Sequence, residues 1–565
     1  MEEYMAKLST ELNLALNTNE TERIKALDLN VGYDSFIGEW ELIIKHTGSL
    51  EELSNSLGFS YVELLNGYAI VYIDEEKIYD LATANEILYI DKPKKLVAEE
   101  NRIISGTSQS CMSFLFTEES TLSGVGVLVA IIDSGIDYTH PVFMGKNGNS
   151  RIYEIWDQTV DGNPPIDYYR GTVYTSMDID KSLKEGMPLE TYDASGHGTA
   201  VASVVANLAP GAQLLIVKLA NLGSDNFPTT SSLIMGIDYA VRTAMQLNMP
   251  LAINLSYGNN YGAHNGNSIL EDYINSVAGI YKLSIAVGTG NDGISKRHSQ
   301  VYLGNTSLSQ VDFNVGEFET GINLQIWKSY SDNIDVVLIT PSGDEIGPFS
   351  QFQNIATYNL TNMIIKVIYS FPNPINTLQE IYISIIPKEQ YIEEGNWRLY
   401  IRPRSISSGR VDIWLPVAGS TSSELEFLNP SEFTTLTIPS TATRAISVGA
   451  YNQRTLAYAP FSGRGYTVSG DIKPDIVAPG VDVEVAISGG GYGLASGTSF
   501  STPFVSAAIA ILMEYGIVLD NDPFLFGEKI KSYLIKGARK LPGYDIWPNE
   551  KLGWGALCLF DSFPN

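Results

Sequence analysis

Between residues 36 and 93, apolar positions alternate between the spacing of strands and the spacing of helices. β-Branched and aromatic residues dominate three segments that predict strands: FIGEWELIIKH, YAIVYI and EILYIDKP. Two segments between them predict helices: SLEELSNSLGF, whose Ser49 and Glu52 have the spacing of a capping box, and DEEKIYDLATAN. This order predicts a small α+β unit with its helices on one face of an open sheet. The charged stretch KPKKLVAEENR follows and indicates a flexible connector.

From about residue 120 to residue 300 the pattern becomes a regular alternation of strands and helices. Continuous apolar character predicts strands in GVGVLVAIIDSG, AQLLIVKL, PLAINLSYG and LSIAVGTGN. Helical spacing appears between them in GHGTAVASVVANLA, SSLIMGIDYAVRTAMQLN and SILEDYINSVAGIY. Because these strands lack a polar face, they predict a parallel sheet that helices cover on both sides.

The alternation stops between about residues 303 and 420. Short strand-like segments separated by turn residues follow one another there, among them INLQIWKSY, MIIKVIYSF, EIYISIIP and WRLYIRPR. This pattern predicts an all-β sandwich inserted into the α/β part of the chain. The α/β pattern returns at RAISVGAYN and continues to the end.

Composition and charge exclude several classes of protein. The 565 residues are 44% hydrophobic and 18% charged, which is ordinary for a globular chain of several domains. No uninterrupted apolar run approaches about 18 residues, so we expect no membrane span. The 64 acidic and 36 basic residues give a net charge of −28, which disfavours nucleic acid as a partner and favours basic substrates.

Two features bear on the cellular compartment. The N-terminus, MEEYMAKLSTELNLALNTNETER, lacks the basic flank and long apolar stretch of a signal peptide, so we expect cytoplasmic synthesis. Cys111 and Cys558 are too few for a disulfide framework, which fits a reducing compartment. The sequence leaves open whether these two cysteines pair.

Three segments of the α/β part carry residues suited to catalysis. Asp133 and Asp137 follow an apolar strand in AIIDSGIDYTHP, where Asp is also a common turn residue. His197 lies between glycines at the start of a helix, where a lone histidine is often structural. Ser499, in SGTSFSTPFV, has an alternative interpretation as a helix N-cap. Ser496 and Ser501 in the same stretch are more simply turn and helix-start residues.

The three segments together change the interpretation of each. Asp133, His197 and Ser499 occur in one of the known chain orders of a hydrolytic triad. Parallel α/β sheets gather such groups at the carboxyl ends of their strands, so distant residues can converge. We therefore expect one site that contains all three.

The motifs around these residues resemble those of subtilisin-type serine proteases. AIIDSGID is similar to the Asp motif of that family, GHGTAVAS to its His motif and GTSFSTPFV to its Ser motif. VGTGND places Asn291 where the family has its oxyanion asparagine, and KPDIVAPG is a further landmark. NLSYG is similar to the substrate-binding strand, with Ser256, Tyr257 and Gly258 at the edge of the specificity pocket.

The resemblance implies a mechanism. Ser499 would attack a peptide carbonyl, His197 would take its proton and return it to the leaving amine, and Asp133 would orient the imidazole. The side-chain amide of Asn291 and the backbone N–H of Ser499 would stabilise the oxyanion. No cofactor is implied. Calcium is frequent in the family, but no contiguous acidic loop suggests a metal site.

The domain architecture indicates a narrower group of proteins than the family as a whole. Residues 1–95 resemble a ferredoxin-like prodomain, which chaperones folding and is then cut, here between about residues 93 and 110. Residues 110–302 and 421–565 would form the three-layer subtilisin-like domain, and residues 303–420 an inserted jelly-roll domain. The insert would place substrate or act only as a brace. Together with DPFLFGEKIKSYLIKGARKLPGYDIWPNEKLGWGALCL near the end, this architecture resembles the clostridial Csp-type germination proteases.

That narrower resemblance implies an enzyme packaged in the spore, which activates a cortex-hydrolase zymogen by limited proteolysis. Its partners would be this protein substrate and its own cleaved prodomain. Two alternatives stay open: a catalytically silent regulator built on a protease scaffold, and a general degradative subtilase. The other histidines receive no catalytic role; His298 is expected at the surface, and His46 and His264 are expected to be structural or exposed.

Overall fold

The computed structural model describes residues 2–100, 102–105, 122–145, 148–221, 227–351, 353 and 355–564. Its N-terminal unit consists of α1 (Glu2–Met5), α2 (Thr10–Leu16), α3 (Glu20–Lys25), β1 (Tyr33–Asp34), β2 (Glu39–His46), α4 (Glu51–Leu57), β3 (Ser60–Leu64), β4 (Tyr68–Asp74), α5 (Ile78–Thr83) and β5 (Ile87–Asp91). Strands β2 to β5 form an antiparallel sheet in the order β5-β2-β4-β3, which with α4 and α5 is the β-α-β-β-α-β arrangement of ferredoxin-like units.

The N-terminal unit differs from the sequence expectation in two respects. Strand β3 was not expected, because its five residues include Ser60 and Glu63 and only part of it is buried. The capping box at Ser49 and Glu52 was wrong: α4 starts at Glu51 after Leu50, and the Ser49 hydroxyl accepts from the Glu51 N–H (3.2 Å). The helix therefore begins too late for Ser49 to cap it.

The connector, residues 92–102, is not the flexible link that its charges indicated. Val97–Ala98 forms β6, and Arg102–Ser105 forms β7 at its end. Lys92 and Glu99 are buried, with exposed fractions of 1% and 4%. Charge alone is a poor guide here, because the polar groups of the connector find partners on other parts of the chain.

The central α/β part follows the predicted alternation. Its elements before the insert are β8 (Leu128–Asp133), β9 (Ile152–Asp157), β10 (Thr172–Thr175), α6 (Ser176–Glu185), α7 (His197–Leu208), β11 (Gln213–Lys218), α8 (Thr230–Leu247), β12 (Leu251–Leu255), β13 (Tyr257–Gly258), α9 (Ile269–Val277) and β14 (Leu283–Gly288).

The insert contains β15 (His298–Tyr302), β16 (Ser309–Val315), β17 (Ile322–Ser329), β18 (Asn333–Ile339), β19 (Glu345–Phe349), β20 (Ile355–Asn359), β21 (Met363–Tyr369), β22 (Leu378–Pro387), β23 (Gly395–Ser405), β24 (Arg410–Trp414) and β25 (Glu426–Phe427). They form a six-stranded sheet, β15-β24-β17-β22-β21-β20, and a five-stranded sheet, β19-β18-β23-β16-β25. The inward residues of both sheets share one apolar core, so the insert is a β-sandwich.

After the β-sandwich the chain returns to the central part with β26 (Ile446–Asn452), β27 (Ala457–Tyr458), β28 (Ile476–Pro479), β29 (Val483–Ala486), β30 (Tyr492–Ser496), α10 (Thr498–Met513) and α11 (Glu528–Gly537). The central sheet has the order β10-β9-β11-β8-β12-β14-β26-β27, and β28 also pairs with β26. Within this sheet the strands β9, β11, β8, β12, β14, β26 and β28 run parallel to one another, and β8 lies in the middle. One apolar core lies on the α7 and α10 side and a second on the α8 and α9 side.

Helix α10 lies in the interior of the molecule. Within the described part of the chain, the helical stretch Thr498–Val518 is the one segment long and apolar enough to cross a membrane, and 83% of its apolar window is buried. It packs on α7 and on strands β12, β14 and β26. These contacts are those of a core helix.

The N-terminal unit packs against two other parts of the molecule. On one face of its sheet, Ile43 and Ile70 share the core of α8 and α9. On the other face, Trp40 and Leu42 belong to a core that also contains Ile368 and Tyr382 of the β-sandwich. The alternation of side chains along β2 explains how one strand serves both cores.

His298 contradicts the expectation of a surface position. Its ring is 1% exposed, lies 3.1 Å from an Asp412 carboxylate oxygen and stacks on Trp414. His264 stacks on the other side of the same indole, and His46 is also buried. The polar sequence around His298 gave no sign of this burial, because its partners lie more than 100 residues away. Cys111 falls outside the described residues, and Cys558 is buried with its thiol donating to Asp561 (3.2 Å).

Candidate active site

The predicted site residues come together at the carboxyl edge of the parallel sheet. Asp133 ends β8, His197 begins α7, and Ser499 is the second residue of α10. Asn291 follows β14 by three residues, and Ser256 follows β12 directly. Because parallel strands end at a common edge, residues up to 366 positions apart in the chain become neighbours.

Asp133 and His197 form a buried pair. Nδ1 of His197 lies 2.7 Å from Oδ1 of Asp133, and both side chains are inaccessible to solvent. The same Oδ1 accepts the Ser134 N–H (2.7 Å). Burial by itself lowers the pKa of His197, but the charge and hydrogen bond of Asp133 outweigh it and raise that pKa to about 9. The ring is therefore fixed with Nε2 as its remaining functional atom.

Asp193, which was not among the predicted site residues, holds the start of α7 in place. The carboxylate of Asp193 accepts from the Gly196 N–H (3.0 Å), the Thr199 N–H (2.8 Å) and the Ser134 hydroxyl (2.8 Å). These contacts tie the loop before His197 to the end of β8. The signal was the motif DASGHGT itself, in which an acid precedes the histidine by four residues.

Ser499 lies in the first turn of α10, and its N-cap is Gly497, so Ser499 is not the N-cap. Gly497 has a φ of 152°, and a Cβ there would lie 2.4 Å from the Glu99 carbonyl oxygen. The Ser499 hydroxyl donates to the Ser256 carbonyl oxygen (3.2 Å). Within the described residues, Nε2 of His197 is buried without a hydrogen-bond partner. The Ser499 hydroxyl is therefore not hydrogen-bonded to His197 in this structure.

Asn291 presents a free amide donor beside Ser499. Its Oδ1 accepts the Thr498 N–H (3.1 Å), which fixes the orientation of the side chain. Its Nδ2 is buried and has no hydrogen-bond partner in the described part of the chain. An unpaired buried N–H₂ costs free energy unless a ligand accepts from it. This arrangement suits an oxyanion site.

The connector lies across this site. Glu99 donates its N–H to the Ser256 carbonyl (3.1 Å), and its own carbonyl accepts the Ser499 N–H (3.1 Å). Before it, β6 pairs antiparallel with β13, with Ala98 opposite Tyr257 and Val97 opposite Gly258. After it, β7 pairs antiparallel with β30, the strand that leads into Ser499. The chain thus enters the site on one side and leaves it on the other.

The remaining residues from the sequence analysis lie around this centre. Asp137 accepts from the Thr139 and Gly489 N–H groups, as a turn residue does. His140 caps a short 3₁₀ turn and contacts the Gly491 carbonyl (3.0 Å). The Ser496 hydroxyl accepts from the Asp482 N–H (3.0 Å). In the described part of the chain no group of three or more His, Cys, Asp and Glu residues has the geometry of a metal site.

Comparison with known proteins agrees with this geometry. The family model described as "Subtilase family" matches residues 124–363 and 416–555, which is more than half of the chain, and the model described as "Csp protease B prodomain" matches residues 6–94. The solved CspB protease of Clostridium perfringens is 35% identical, with a TM-score of 0.73 over 79% of this chain and 94% of that chain.

More distant curated relatives match over shorter shares of their length. The minor extracellular protease Vpr of Bacillus subtilis is 23% identical over 473 residues, 78% of this chain and 52% of that protein. Subtilisin-like protease 5 of Arthroderma otae is 24% identical over 250 residues, 42% of this chain and 52% of that protein. The chain thus spans about half the length of these relatives. The family match and the arrangement of Asp133, His197 and Ser499 lead to one conclusion: this chain belongs to the subtilase family and carries a prodomain of the CspB type.

Proposed function

We propose that this protein is a serine endopeptidase that first cuts its own chain between Glu99 and Glu100. One observation carries the proposal: the Glu99 carbonyl oxygen accepts the Ser499 N–H, while the Glu99 N–H donates to Ser256. A substrate whose scissile bond faces the nucleophile makes these two contacts with the residue before that bond. The bond lies inside the range of residues 93 to 110 expected for prodomain removal.

The chemistry follows from the groups around that carbonyl. The Ser499 oxygen attacks the Glu99 carbonyl carbon as Nε2 of His197 takes the hydroxyl proton. The resulting oxyanion accepts from the Ser499 N–H and from Nδ2 of Asn291. His197 then gives the proton to the departing Glu100 nitrogen, which leaves an ester between Ser499 and Glu99. Attack by water releases Glu99 with a free carboxylate and restores Ser499.

Burial supports a role for the connector as an intramolecular substrate. Glu99 is 4% exposed, and strands on both sides of it are hydrogen-bonded to β13 and β30. A peptide held over several residues loses little further entropy on reaction. The N-terminal unit would then be the prodomain, in the sense of residues 1–99, and the catalytic domain would consist of the central part on both sides of the β-sandwich.

After self-processing, we propose limited proteolysis of a protein substrate, with a spore cortex-hydrolase zymogen as the natural partner. Its support is the Csp-type resemblance of the sequence. The same resemblance supports packaging in the spore after cytoplasmic synthesis, and a jelly-roll assignment for the β-sandwich. The cleaved prodomain would be the second partner.

The test compares intact masses of the wild type and Ser499→Ala, produced in parallel. We expect the wild type as two pieces, residues 1–99 and 100–565, and Ser499→Ala as one. The same protein added to a purified cortex-hydrolase zymogen should yield one new N-terminus. If both chains stay whole, the silent-regulator alternative replaces the proposal. Cleavage of an unfolded protein such as casein at many sites would instead favour the degradative alternative.

A further inference from the structure

A large cavity lies where the N-terminal unit meets the loop between β9 and β10. Its volume is about 970 Å³, which is at the upper end of the range of small-molecule sites. The N-terminal unit supplies most of the lining, and Tyr169 and Arg170 of the central part supply the rest. Phe36 and Tyr169 are 98% and 61% exposed, so the cavity opens to solvent. We call it the junction cavity.

Aromatic side chains form the apolar walls of the junction cavity: Tyr33, Phe36, Trp40, Tyr72 and Tyr169. The ring centroids of Tyr72 and Tyr169 lie 6.2 Å apart, one ring on each side of the junction. The Arg23 guanidinium already lies over the Tyr33 and Trp40 rings, at 4.3 Å and 5.2 Å from their centroids. Aromatic faces attract cations in this way, so the remaining rings suit a ligand that carries an ammonium group.

Two acceptor atoms of residues that line the junction cavity have no hydrogen-bond partner in the described part of the chain. They are Oε1 of Glu41 and Oδ1 of Asn30. Glu41 is 6% exposed, and its other carboxylate oxygen forms an ion pair with Arg170. A buried acceptor without a donor costs free energy, so both atoms favour a ligand with N–H groups. An ammonium group provides three of them.

The charges of the junction cavity favour a cation over an anion. Among the described residues that line it, Asp34, Glu39 and Glu41 are acidic and Arg170 is basic. Nε of Arg170 is an unpaired donor, but the charge of this guanidinium is already balanced by Glu41. The carboxylates of Asp34 and Glu39 are left without an opposite charge in the lining, so the field inside the cavity is negative.

We propose that the junction cavity binds a small organic cation, in which an ammonium group is attached to an aromatic or apolar body. The ammonium group donates to Glu41 and Asn30, and the body packs on the rings of Tyr72 and Tyr169. A few polar groups that fix orientation within mostly apolar walls are the usual composition of a small-molecule site.

The position of the junction cavity gives such a ligand a second effect. Glu41 and Tyr72 belong to residues 1–99, whereas Tyr169 and Arg170 belong to residues 100–565. A ligand that contacts both pieces of the self-processed chain loses contacts when the pieces separate, so it favours the associated state. The bound cation therefore slows release of the prodomain. This effect rests on the proposed function, whereas binding of the cation does not.

Binding is tested with full-length Ser499→Ala, which has no nucleophile and stays in one piece. Three probes share an indole ring and a short side chain but differ in charge: tryptamine is cationic, tryptophol is neutral and indole-3-propionate is anionic. Titration calorimetry at neutral pH should show binding of tryptamine, with the other two probes weaker by at least about tenfold.

Variants in the Ser499→Ala background locate the site. Glu41→Gln should weaken tryptamine binding by at least about tenfold, and Tyr169→Ala by about two- to fivefold. Glu52→Gln and Tyr302→Ala alter an exposed acid and an exposed tyrosine outside the junction cavity and should leave binding unchanged. Unfolding temperatures without ligand report whether each variant folds. Tyr169 is exposed, so Tyr169→Ala decides the matter if Glu41→Gln, which also weakens the ion pair with Arg170, loses its fold.

Release of the prodomain is measured on the wild type after self-processing, as the rate at which residues 1–99 dissociate. Tryptamine at about ten times its dissociation constant should slow this rate by about tenfold, because the ligand must leave before the pieces part. Indole-3-propionate at the same concentration should leave the rate unchanged.

The outcomes separate this inference from the proposed function. Absence of tryptamine binding, equal binding of all three probes or a preference for the anion overturns the cation site. Tryptamine binding that is unchanged in the folded variants of Glu41 and Tyr169 overturns the assignment to the junction cavity. Binding without slower release overturns the effect on the prodomain alone. If the wild type stays whole, the proposed function fails, while the titrations of Ser499→Ala still decide the site.

Discussion

The backbone N–H of Ser499 donates to the carbonyl oxygen of Glu99 over 3.1 Å, across 400 residues of chain. This contact places a peptide bond of the connector where a subtilase nucleophile acts. It also places the Glu99 side chain in a pocket whose walls are glycine backbone and threonine hydroxyls.

Asn291→Ala should slow self-processing by about 10²–10³-fold, because it removes the free Nδ2 donor beside the Glu99 carbonyl. In subtilisin, loss of the corresponding donor costs about 3–4 kcal/mol of transition-state stabilisation. The measurement is the rate of appearance of the fragment that begins at Glu100. Asn362→Ala, at an exposed position in the β-sandwich, is the matched control. An unchanged rate in Asn291→Ala would show that the amide does not contact the oxyanion.

Self-processing should accelerate as pH rises toward about 9. His197 acts as a base only when neutral, and Asp133 raises its pKa to about 9 against the lowering effect of burial. Protonated His197 beside Asp133 stabilises the folded chain fully below the ordinary pKa of 6.5. This stabilisation is lost as pH rises through about 9. The check is a pH–rate profile for Glu99→Gln, in which the ionisation of Glu99 makes no contribution.

Asp133→Asn should lower the rate by about 10⁴-fold and move the midpoint of that profile to lower pH. Without the carboxylate, burial still lowers the pKa of His197, and only the smaller raising effects of Glu100 and Asp193 oppose it. A midpoint that stays in place would mean that Asp133 does not set the protonation of His197.

Binding of the Glu99 side chain in its pocket should be tightest in acid and should weaken between about pH 4.5 and pH 7. Burial raises the pKa of Glu99 from 4.5 to about 7, so the seated form retains a proton that the free form releases in this interval. His197 is the charged group that acts on the Glu99 carboxyl, and it is present in every variant compared. A rise of this size corresponds to about 3 kcal/mol.

Unfolding temperatures of Ser499→Ala and Ser499→Ala/Glu99→Gln across this pH range measure the effect. The Gln variant should gain stability relative to its parent from pH 4.5 to pH 7 and show no further gain above pH 7. A difference independent of pH would indicate that Glu99 remains ionised in the pocket.

Gly288→Ala should impair self-processing by crowding the pocket. The new methyl group would lie 2.0 Å from a carboxyl oxygen of Glu99, so that side chain would have to leave. Glu99→Ala in the same chain removes the clash and should restore part of the cleavage, which would be measured by intact mass. If the double variant is cut no faster than Gly288→Ala, the damage lies in the backbone of β14 and not in the pocket.

Ile368→Ala should weaken the hold of the β-sandwich on the N-terminal unit, because Ile368 belongs to the core that the two parts share. Loss of a buried isoleucine side chain typically costs about 2–5 kcal/mol. The readout is the fraction of residues 1–99 that elutes with the remainder after cleavage. Ile365→Ala, on the inward face of the same strand, removes an equal volume from the core of the β-sandwich and should lower its thermal stability instead. Equal retention in both variants would contradict a clamping role for the β-sandwich.

The sequence by itself determined the family, the alternation of strands and helices, and the identity of the residues around Ser499. Local signals suffice for these, since an apolar run of β-branched residues such as Leu128–Asp133 forms a strand, and a glycine-flanked His197 begins a helix of small residues. The family motifs lie within such segments, and the carboxyl ends of parallel strands gather them whatever the lengths of the intervening loops.

The tertiary structure alone decided what fills the site. The charges of the connector predicted a flexible link, yet Glu99 is buried because Ser256, Thr437, Thr498 and Ser499 supply partners from three distant segments. The burial of His298 between Asp412 and Trp414 has the same origin. The free energy of a polar group depends on the donors and acceptors that surround it after folding, and its sequence neighbours do not specify them.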